Sequence, residues 1–185
     1  MGANATNALF FLVTTIFDLL LWVWMLRILL QLVRADLYNP ISQLVWRLTR
    51  YPSDFIRPYL PRLRTLDVAS MLVLLVLSVL YIETVSTLLS MGVTLLPSLV
   101  YALLKLAVLA VNLYTFTLFV QAILSWLGPG VNNPASNILW SLNEPLLRPI
   151  RNVVPVLSGL DLSPLVAILV LQVVNRLIPL PAIFR

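Results

Sequence analysis

Two related stretches decide how this chain is organised: NPISQLVWRL at residues 39–48 and NPASNILWSL at residues 133–142. They lie 94 positions apart, and the same shift aligns less common residues further along the chain. These matches are Arg57 with Arg151, Pro61 with Pro155 and Asp67 with Asp161. Because matched Trp, Pro, Arg and Asp at one register are rarely coincidental, the sequence predicts two copies of one unit, repeat one over residues 1–97 and repeat two over residues 98–185.

The composition predicts a membrane protein. Of 185 residues, 61% are hydrophobic and only 10% are charged, whereas a soluble domain has about a quarter charged residues. The chain has no cysteine and no histidine, so disulfides, thiolate catalysis and the commonest metal ligand are excluded. We therefore expect no cofactor and no enzymatic activity. The net charge of +5 is too modest to predict direct nucleic-acid binding.

Four apolar segments are long enough to cross a hydrocarbon core of about 30 Å. They are residues 8–33, 68–96, 98–127 and 162–178. Each repeat is then a helix, a long loop and a second helix. The predicted fold is an all-α polytopic membrane protein with four transmembrane helices in two tandem parallel repeats.

Each long loop is predicted to contain an amphipathic helix lying in the membrane interface. Asn39-Pro40 and Asn133-Pro134 are helix starts, since Asn caps free amides and Pro suits the first helical position. Trp46 and Trp140 suit the headgroup level. Two further short helical segments, 56–59 and 146–154, are predicted to be broken by prolines, and Asp67 and Asp161 to cap the helices that follow.

The arginines predict the orientation. The first loop contains Arg34, Arg47, Arg50, Arg57, Arg62 and Arg64, and the second contains Arg148 and Arg151. The hairpin linker between the repeats has no charge. The positive-inside rule therefore places both loops in the cytoplasm and both termini outside.

Apart from Arg176 near the end of the fourth span, the charged residues within the predicted spans are Asp18, Arg27, Glu83 and Lys105. Such residues are costly in a bilayer and are candidates for function. Glu83 and Lys105 are equally far from the middle of the hairpin, so we expect them to form an ion pair. Arg27 is close enough to the loop to reach the cytoplasmic interface with its side chain.

The shift of 94 places Asn112 at the position of Asp18 and Gln121 at the position of Arg27. Two interpretations remain open. One is hydrogen bonding between helices, worth about 0.6–2 kcal/mol per contact. The other is a polar track for an ion or a proton.

Several motifs resemble the YggT family of bacterial membrane proteins. They are RADLYNPISQ at residues 34–43, NEPLLRPIR at 143–151 and GLDLSP at 159–164. The resemblance covers nearly the whole chain and implies a multi-pass protein of the bacterial inner membrane. It also implies a relation to the plastid YlmG group, which is linked to cytochrome b6f maturation and nucleoid distribution, and to bacterial proteins associated with osmotic stress and cell-division genes. Repeat one departs from the fuller motif, with Arg34-Ala-Asp36 where repeat two has Gly128-Pro-Gly130.

These observations favour a non-enzymatic scaffold, an assembly or stress-response factor that docks membrane proteins or anionic lipid through its cytoplasmic loops. The candidate docking residues are Arg34, Asp36, Asn39, Pro40, Arg57, Asp67, Asn133, Pro134, Glu144, Arg148, Arg151 and Asp161. The alternative is a small oligomeric ion or solute channel, active in osmotic stress, that uses Asp18 and Asn112. Expected partners are the lipid bilayer, a membrane protein and further copies of the chain.

Overall fold

The computed structural model of the protein describes residues 3–61, 67–126, 133–154 and 161–185. Within these ranges all regular structure is helical. The α-helices are α1 (Ala3–Leu32), α2 (Pro40–Ile56), α3 (Val68–Leu88), α4 (Leu95–Trp126), α5 (Pro134–Arg151) and α6 (Ser163–Leu177). Short 3-10 turns cover Arg57–Tyr59 and Ala182–Phe184. The all-α prediction is confirmed for the described residues.

In the part of the chain that the structure describes, three helices are long and apolar enough to cross a membrane, within Asn7–Leu32, Val68–Leu88 and Leu95–Ser125. The fourth predicted span corresponds to α6, a shorter apolar helix of 15 residues. At 1.5 Å per residue this helix is only about 22 Å long.

Two helices end in a left-handed residue that closes the last turn. Arg34 after α1 has φ 53° and Ser90 after α3 has φ 52°. In both cases the next amide bonds back five residues, Ala35 to Leu30 and Met91 to Ser86, which satisfies carbonyls at the helix end. The prediction that the second span continues to residue 96 is therefore wrong, because this turn ends α3 at Leu88.

The two repeats have the same internal packing. In repeat one, α1 packs against α2 and α3, and in repeat two α4 packs against α5 and α6. The repeats join chiefly where α3 meets α4, and there the Ser78 hydroxyl donates to the Ala102 carbonyl at 3.0 Å. Because α2 also contacts α5, both loop helices lie at the same end of the bundle.

The loop helices begin as predicted but run further. Asn39 and Asn133 cap α2 and α5, each followed by proline. However, α2 passes through Pro52, and α5 passes through Pro145 and Pro149. The prediction of a separate, broken segment at 146–154 is wrong. All three prolines lie on the exposed side, where the carbonyls that they leave without a helical partner can bond outside the protein.

Candidate functional site

A buried arginine of α1 fixes the loop helix of repeat one to the bundle. The Arg27 guanidinium donates to the Thr49 hydroxyl at 2.7 Å and to the Asp67 carboxylate at 3.0 Å. Thr49 lies on α2 and Asp67 precedes α3, so one cation joins three helices. The Arg27 side chain is buried, and Asp67 meets its charge inside the protein.

Asp67 also binds a second arginine, Arg57, at 2.7 Å, and accepts from the Ser70 hydroxyl at 2.8 Å. Burial raises the pKa of Asp67, but the hydrogen bonds from Arg57 and Ser70 outweigh it and leave the pKa below its usual value. The bond to Asp67 raises the pKa of Arg57. Asp67 stands at the cap position of α3, as predicted, yet its carboxylate binds these side chains and not a backbone amide of that helix.

Repeat two has a neutral version of the same cluster. Gln121 and Asn143 stand where repeat one has Arg27 and Thr49, and the Asn143 amide donates to the Gln121 carbonyl oxygen at 2.7 Å. Asn143 is fully buried and accepts in turn from the Thr117 hydroxyl at 2.7 Å. The duplication therefore preserves the joint between the first helix and the loop helix but not its charge.

The second joint of repeat two is ionic. Arg151 donates to Asp161 at 3.0 Å and to Glu144 at 2.8 Å. Asp161 also accepts from the backbone amide of Ser163 at 2.9 Å, but the N-cap residue of α6 is Leu162 and not Asp161 as predicted. Burial raises the pKa of Asp161, but the hydrogen bonds from Ser163 and Arg151 lower it by more. The pKa of Asp161 therefore lies below its usual value. Arg151 is thus occupied within the chain.

The two loop helices meet at their capped ends. The Asn39 side chain accepts from the Ile41 amide at 2.9 Å and donates to the Pro134 carbonyl at 2.6 Å. Asn133 forms a reciprocal capping box with Ser136. We call the joined unit of α2, the Arg57–Tyr59 turn and α5 the loop platform.

The platform has a distinctive outer surface. On α2 the bundle side consists of Ser42, Val45, Thr49 and Ser53. The exposed apolar side consists of Leu44, Leu48, Tyr51 and Phe55. The apolar residues at 41–48 are therefore divided between the bundle and the exterior, with Val45 buried and Leu44 and Leu48 exposed. Trp46 and Trp140 are partly exposed, and each lies beneath an arginine, Arg50 and Arg151 respectively.

The remaining candidate docking residues lie on the platform or in the turn that leads into α2. Asp36 accepts from the Tyr38 amide at 2.8 Å and so shapes the turn before α2. Pro40 and Pro134 occupy the first helical positions. Arg34 and Arg148 are exposed, and neither forms an ion pair with another described residue.

Inside the bundle, Lys105 pairs with Asp18 at 2.8 Å and its ammonium lies 4.3 Å from the Tyr81 ring centroid. The prediction of a Glu83–Lys105 pair is wrong. Equal distance from the hairpin gives equal depth but does not specify the side of the helix. Glu83 faces a shallow, open recess, away from the α3 side that meets α4.

A second polar cluster was missed. Asn175 donates to Asn112 at 2.6 Å, and Arg185 donates to Asn175 at 2.8 Å. Asn112 was predicted from its match to Asp18. The shift of 94 also matches Asn175 to Tyr81, so the repeat itself could have identified this partner.

Among the described residues, no group of three or more acidic, cysteine or histidine side chains is placed to bind a metal. The chemistry available at the platform is therefore that of exposed guanidinium groups, aromatic rings and apolar side chains. Such a surface can bind phosphate, carboxylate and lipid.

Comparison with known proteins supports the duplication. The family model described as CCB3/YggT matches residues 6–88 and again residues 100–182. Both ends of the second match lie 94 positions after those of the first, which is the shift at which the sequence repeats.

Full-length relatives agree with this result. The YggT protein of Escherichia coli K12 is 38% identical over 91% of this chain and 88% of its own. A Vibrio alginolyticus protein from the proC 3′ region is 38% identical over 92% of this chain and 93% of its own. A Pseudomonas aeruginosa protein is 34% identical over 96% of this chain and 90% of its own. All three are described as uncharacterised, and no solved structure matches the chain.

Proposed function

The chain belongs to the CCB3/YggT family, and we propose that it is a non-enzymatic scaffold of the bacterial inner membrane. In this role it acts as an assembly or stress-response factor. It docks partner membrane proteins or anionic lipid through the loop platform, which lies on the cytoplasmic side.

The proposed topology has four spans, α1, α3, α4 and α6. The arginine bias supports cytoplasmic loops. Although α6 is short, the residues that follow it lengthen the apolar segment. Among them, Phe184 is buried, and its ring centroid lies 5.4 Å from that of Tyr101. Arg185 donates to the carbonyls of Asn175 and Ile178 at 3.0 and 2.7 Å, so polar groups at this helix end are satisfied, as a bilayer requires.

The observation that carries the proposal is the way in which the platform is fixed. Arg27 and Asp67 hold α2, Asn143 and Asp161 hold α5, and Asn39 bonds one helix to the other. A surface held by buried polar groups at several points keeps its shape without a ligand. Such preorganisation lowers the ordering cost of binding.

The charges of the two loop helices are reversed between the repeats. Repeat one has Arg50 and Asp54, which pair at 2.8 Å. Repeat two has Glu144 and Arg148 at the matching positions, and Glu144 is taken by Arg151. Arg148 is left as an exposed cation without an ion pair among the described residues. Arg47 of α2 is also exposed and has no ion pair among the described residues, but repeat two has the fuller sequence motif. We therefore choose Arg148 as the first candidate to bind a partner carboxylate or lipid phosphate.

An Arg148→Gln variant tests this function. We expect partner recovery after crosslinking in native membranes, or co-purification of phosphatidylglycerol from mixed-lipid nanodiscs, to fall at least fivefold. Arg176→Gln is the matched control, since Arg176 is also exposed but lies near the far end of α6. Arg47→Gln should have a smaller effect. Arg151→Gln is unsuitable because Arg151 forms two ion pairs within the chain.

Equal recovery from Arg148→Gln and Arg176→Gln at equal membrane levels would refute docking through Arg148. Loss of lipid alone would assign the surface to anionic lipid. Loss of a stoichiometric protein would assign it to a protein partner.

One observation favours the alternative, a small oligomeric channel. The Glu83 carboxylate in α3 has no hydrogen bond or ion pair among the described residues and lies beside an open recess. An unpartnered carboxylate in a span suggests a cation or proton path. Against this, the residues proposed for the path, Asp18 and Asn112, are bonded to Lys105 and Asn175. Those bonds favour the scaffold.

A further inference from the structure

Repeat two buries a helix face that repeat one leaves open. On α4 this face consists of Ala102, Lys105, Leu109 and Leu113, all buried. The matching residues of α1 are Ala8, Phe11, Thr15 and Leu19. Of these, Ala8, Phe11 and Leu19 are exposed and Thr15 is half-buried. The contrast is clearest between Leu113, 1% exposed, and Leu19, 63% exposed.

The loop helices show the same asymmetry. Ile138 and Leu142 of α5 are buried, while the matching Leu44 and Leu48 of α2 are exposed. Leu142 is 0% exposed and Leu48 is 62% exposed. The matching faces of the first helix and the loop helix are therefore buried in repeat two and largely exposed in repeat one.

Repeat one itself covers the face in repeat two. Helix α3 packs against α4, with Ser78 bonded to Ala102, and α1 packs against α5. If the repeats were related by a two-fold axis, α6 would pack against α1 as extensively as α3 packs against α4. Among the described residues, α6 and α1 do not pack in this way. The contact between repeats is therefore heterologous: it joins two different faces and leaves one of each free.

The free partner face is on α6. By the same shift, Gln172 of α6 corresponds to Ser78 of α3. Gln172 is exposed, and its amide donates to the Thr115 hydroxyl of α4 at 3.4 Å, so it lies at the edge of this face. Ala8 corresponds to Ala102 and preserves the small side chain at the point where α3 and α4 approach closely. Small residues permit such close packing of helices in a bilayer.

We propose that a second copy of this chain occupies the open face. In this head-to-tail contact, α1 of one copy packs against α6 of its neighbour and repeats the internal contact of α4 with α3. Leu44 and Leu48 of α2 belong to the same interface. This contact would continue, from copy to copy, the interface already present between the repeats, and it does not depend on the proposed function.

Paired cysteines test the contact, since the chain has no cysteine of its own. Two differently tagged chains, one with Ala8→Cys and one with Gln172→Cys, are expressed together and oxidised in native membranes. The expected product is a disulfide-linked heterodimer, at a yield at least fivefold above that of Leu103→Cys with Gln172→Cys. Leu103 adjoins Ala102 in sequence and is exposed, so it matches the depth of Ala8.

The pair Ser78→Cys and Ala102→Cys within one chain is the positive control, and should form an internal disulfide. If this control reacts while the Ala8 and Gln172 pair stays at the level of the Leu103 control, α1 faces lipid and the proposal is overturned. Efficient linkage of Ala8→Cys to itself would indicate a two-fold dimer and would also overturn it. Native mass spectrometry of the unmodified protein from nanodiscs should show an oligomer, and a monomer alone would contradict the proposal.

Discussion

Single polar residues inside the bundle are used mainly to join helices. Lys105 of α4 binds Asp18 of α1, and Arg27 of α1 binds Asp67 before α3. Sequence reasoning identified three of these residues as unusual intramembrane charges but assigned Lys105 to Glu83. It could estimate depth from the distance to the hairpin. It could not predict which side of its helix each residue faces, because the rotation of α3 against α4 depends on packing that involves the whole bundle.

Asp18→Asn should destabilise the protein, because it leaves the buried Lys105 ammonium without its counter-ion. We expect a loss on the order of 2–3 kcal/mol, somewhat less than for a fully buried pair because Asp18 is partly exposed. Glu83→Gln is the control and should change stability by less than about 0.5 kcal/mol. Thermal unfolding in detergent measures both. A larger loss of stability from Glu83→Gln than from Asp18→Asn would indicate that Lys105 pairs with Glu83 and would contradict the Asp18–Lys105 pair.

Asp67 predicts an acid-dependent stability. Because the folded pKa of Asp67 is lowered, the carboxylate stabilises the fold fully above the unfolded pKa of about 3.9. This contribution is lost as the pH falls from there through the lowered folded pKa. The melting temperature of the wild-type protein should therefore decrease once the pH is below about 4. The Asp67→Asn variant should be less stable than wild type at pH 7, and its melting temperature should change less on acidification. An equal acid-induced change in both proteins would exclude Asp67 as a cause.

At the scale of elements, the starts of the two loop helices were predictable and their ends were not. Asn-Pro is a local signal, and both loop helices begin there. Their ends depend on context, since prolines within α2 and α5 are tolerated on the exposed side. The end of α1 was predicted to within one residue. The left-handed conformation of Arg34 that closes it was not predicted, because arginine gives no indication of one.

Arg34→Gly should stabilise the protein. A left-handed conformation costs a non-glycine residue about 1–2 kcal/mol, and glycine removes this strain. Part of the gain in stability is offset because glycine loses more conformational entropy on folding. The expected net gain is about 0.5 kcal/mol, and repeat two already has Gly128 at the matching position. Arg34→Ala, which retains the strain, is the control and should give no gain. A lower melting temperature for Arg34→Gly than for Arg34→Ala would contradict this account.

At the scale of the whole molecule, the duplication was the most predictive feature. It gave the two repeats, the equivalent loop helices and the matched polar positions Arg27 with Gln121 and Asp18 with Asn112. The contact between the repeats was not predictable. Two related units can join through like or unlike faces, and sequence matching is the same in both cases.

The orientation predicts opposite accessibility for two engineered cysteines, Ser141→Cys on α5 and Met91→Cys in the linker between α3 and α4. Both positions are exposed. On intact spheroplasts, a membrane-impermeant maleimide should label Met91→Cys and should reach Ser141→Cys only after lysis. The reverse pattern would place the loop platform outside the cell and remove every cytoplasmic partner.

The central claim is that the intramembrane polar groups hold the bundle together and that function resides in the loop platform. Ion flux into proteoliposomes containing the purified protein tests it most directly, with wild type and Asp18→Asn assayed below the melting temperature of both. The account predicts flux equal to that of protein-free liposomes for both proteins. A conductance that increases with wild-type protein and disappears in folded Asp18→Asn would show that the bundle contains an ion path, and would contradict the scaffold.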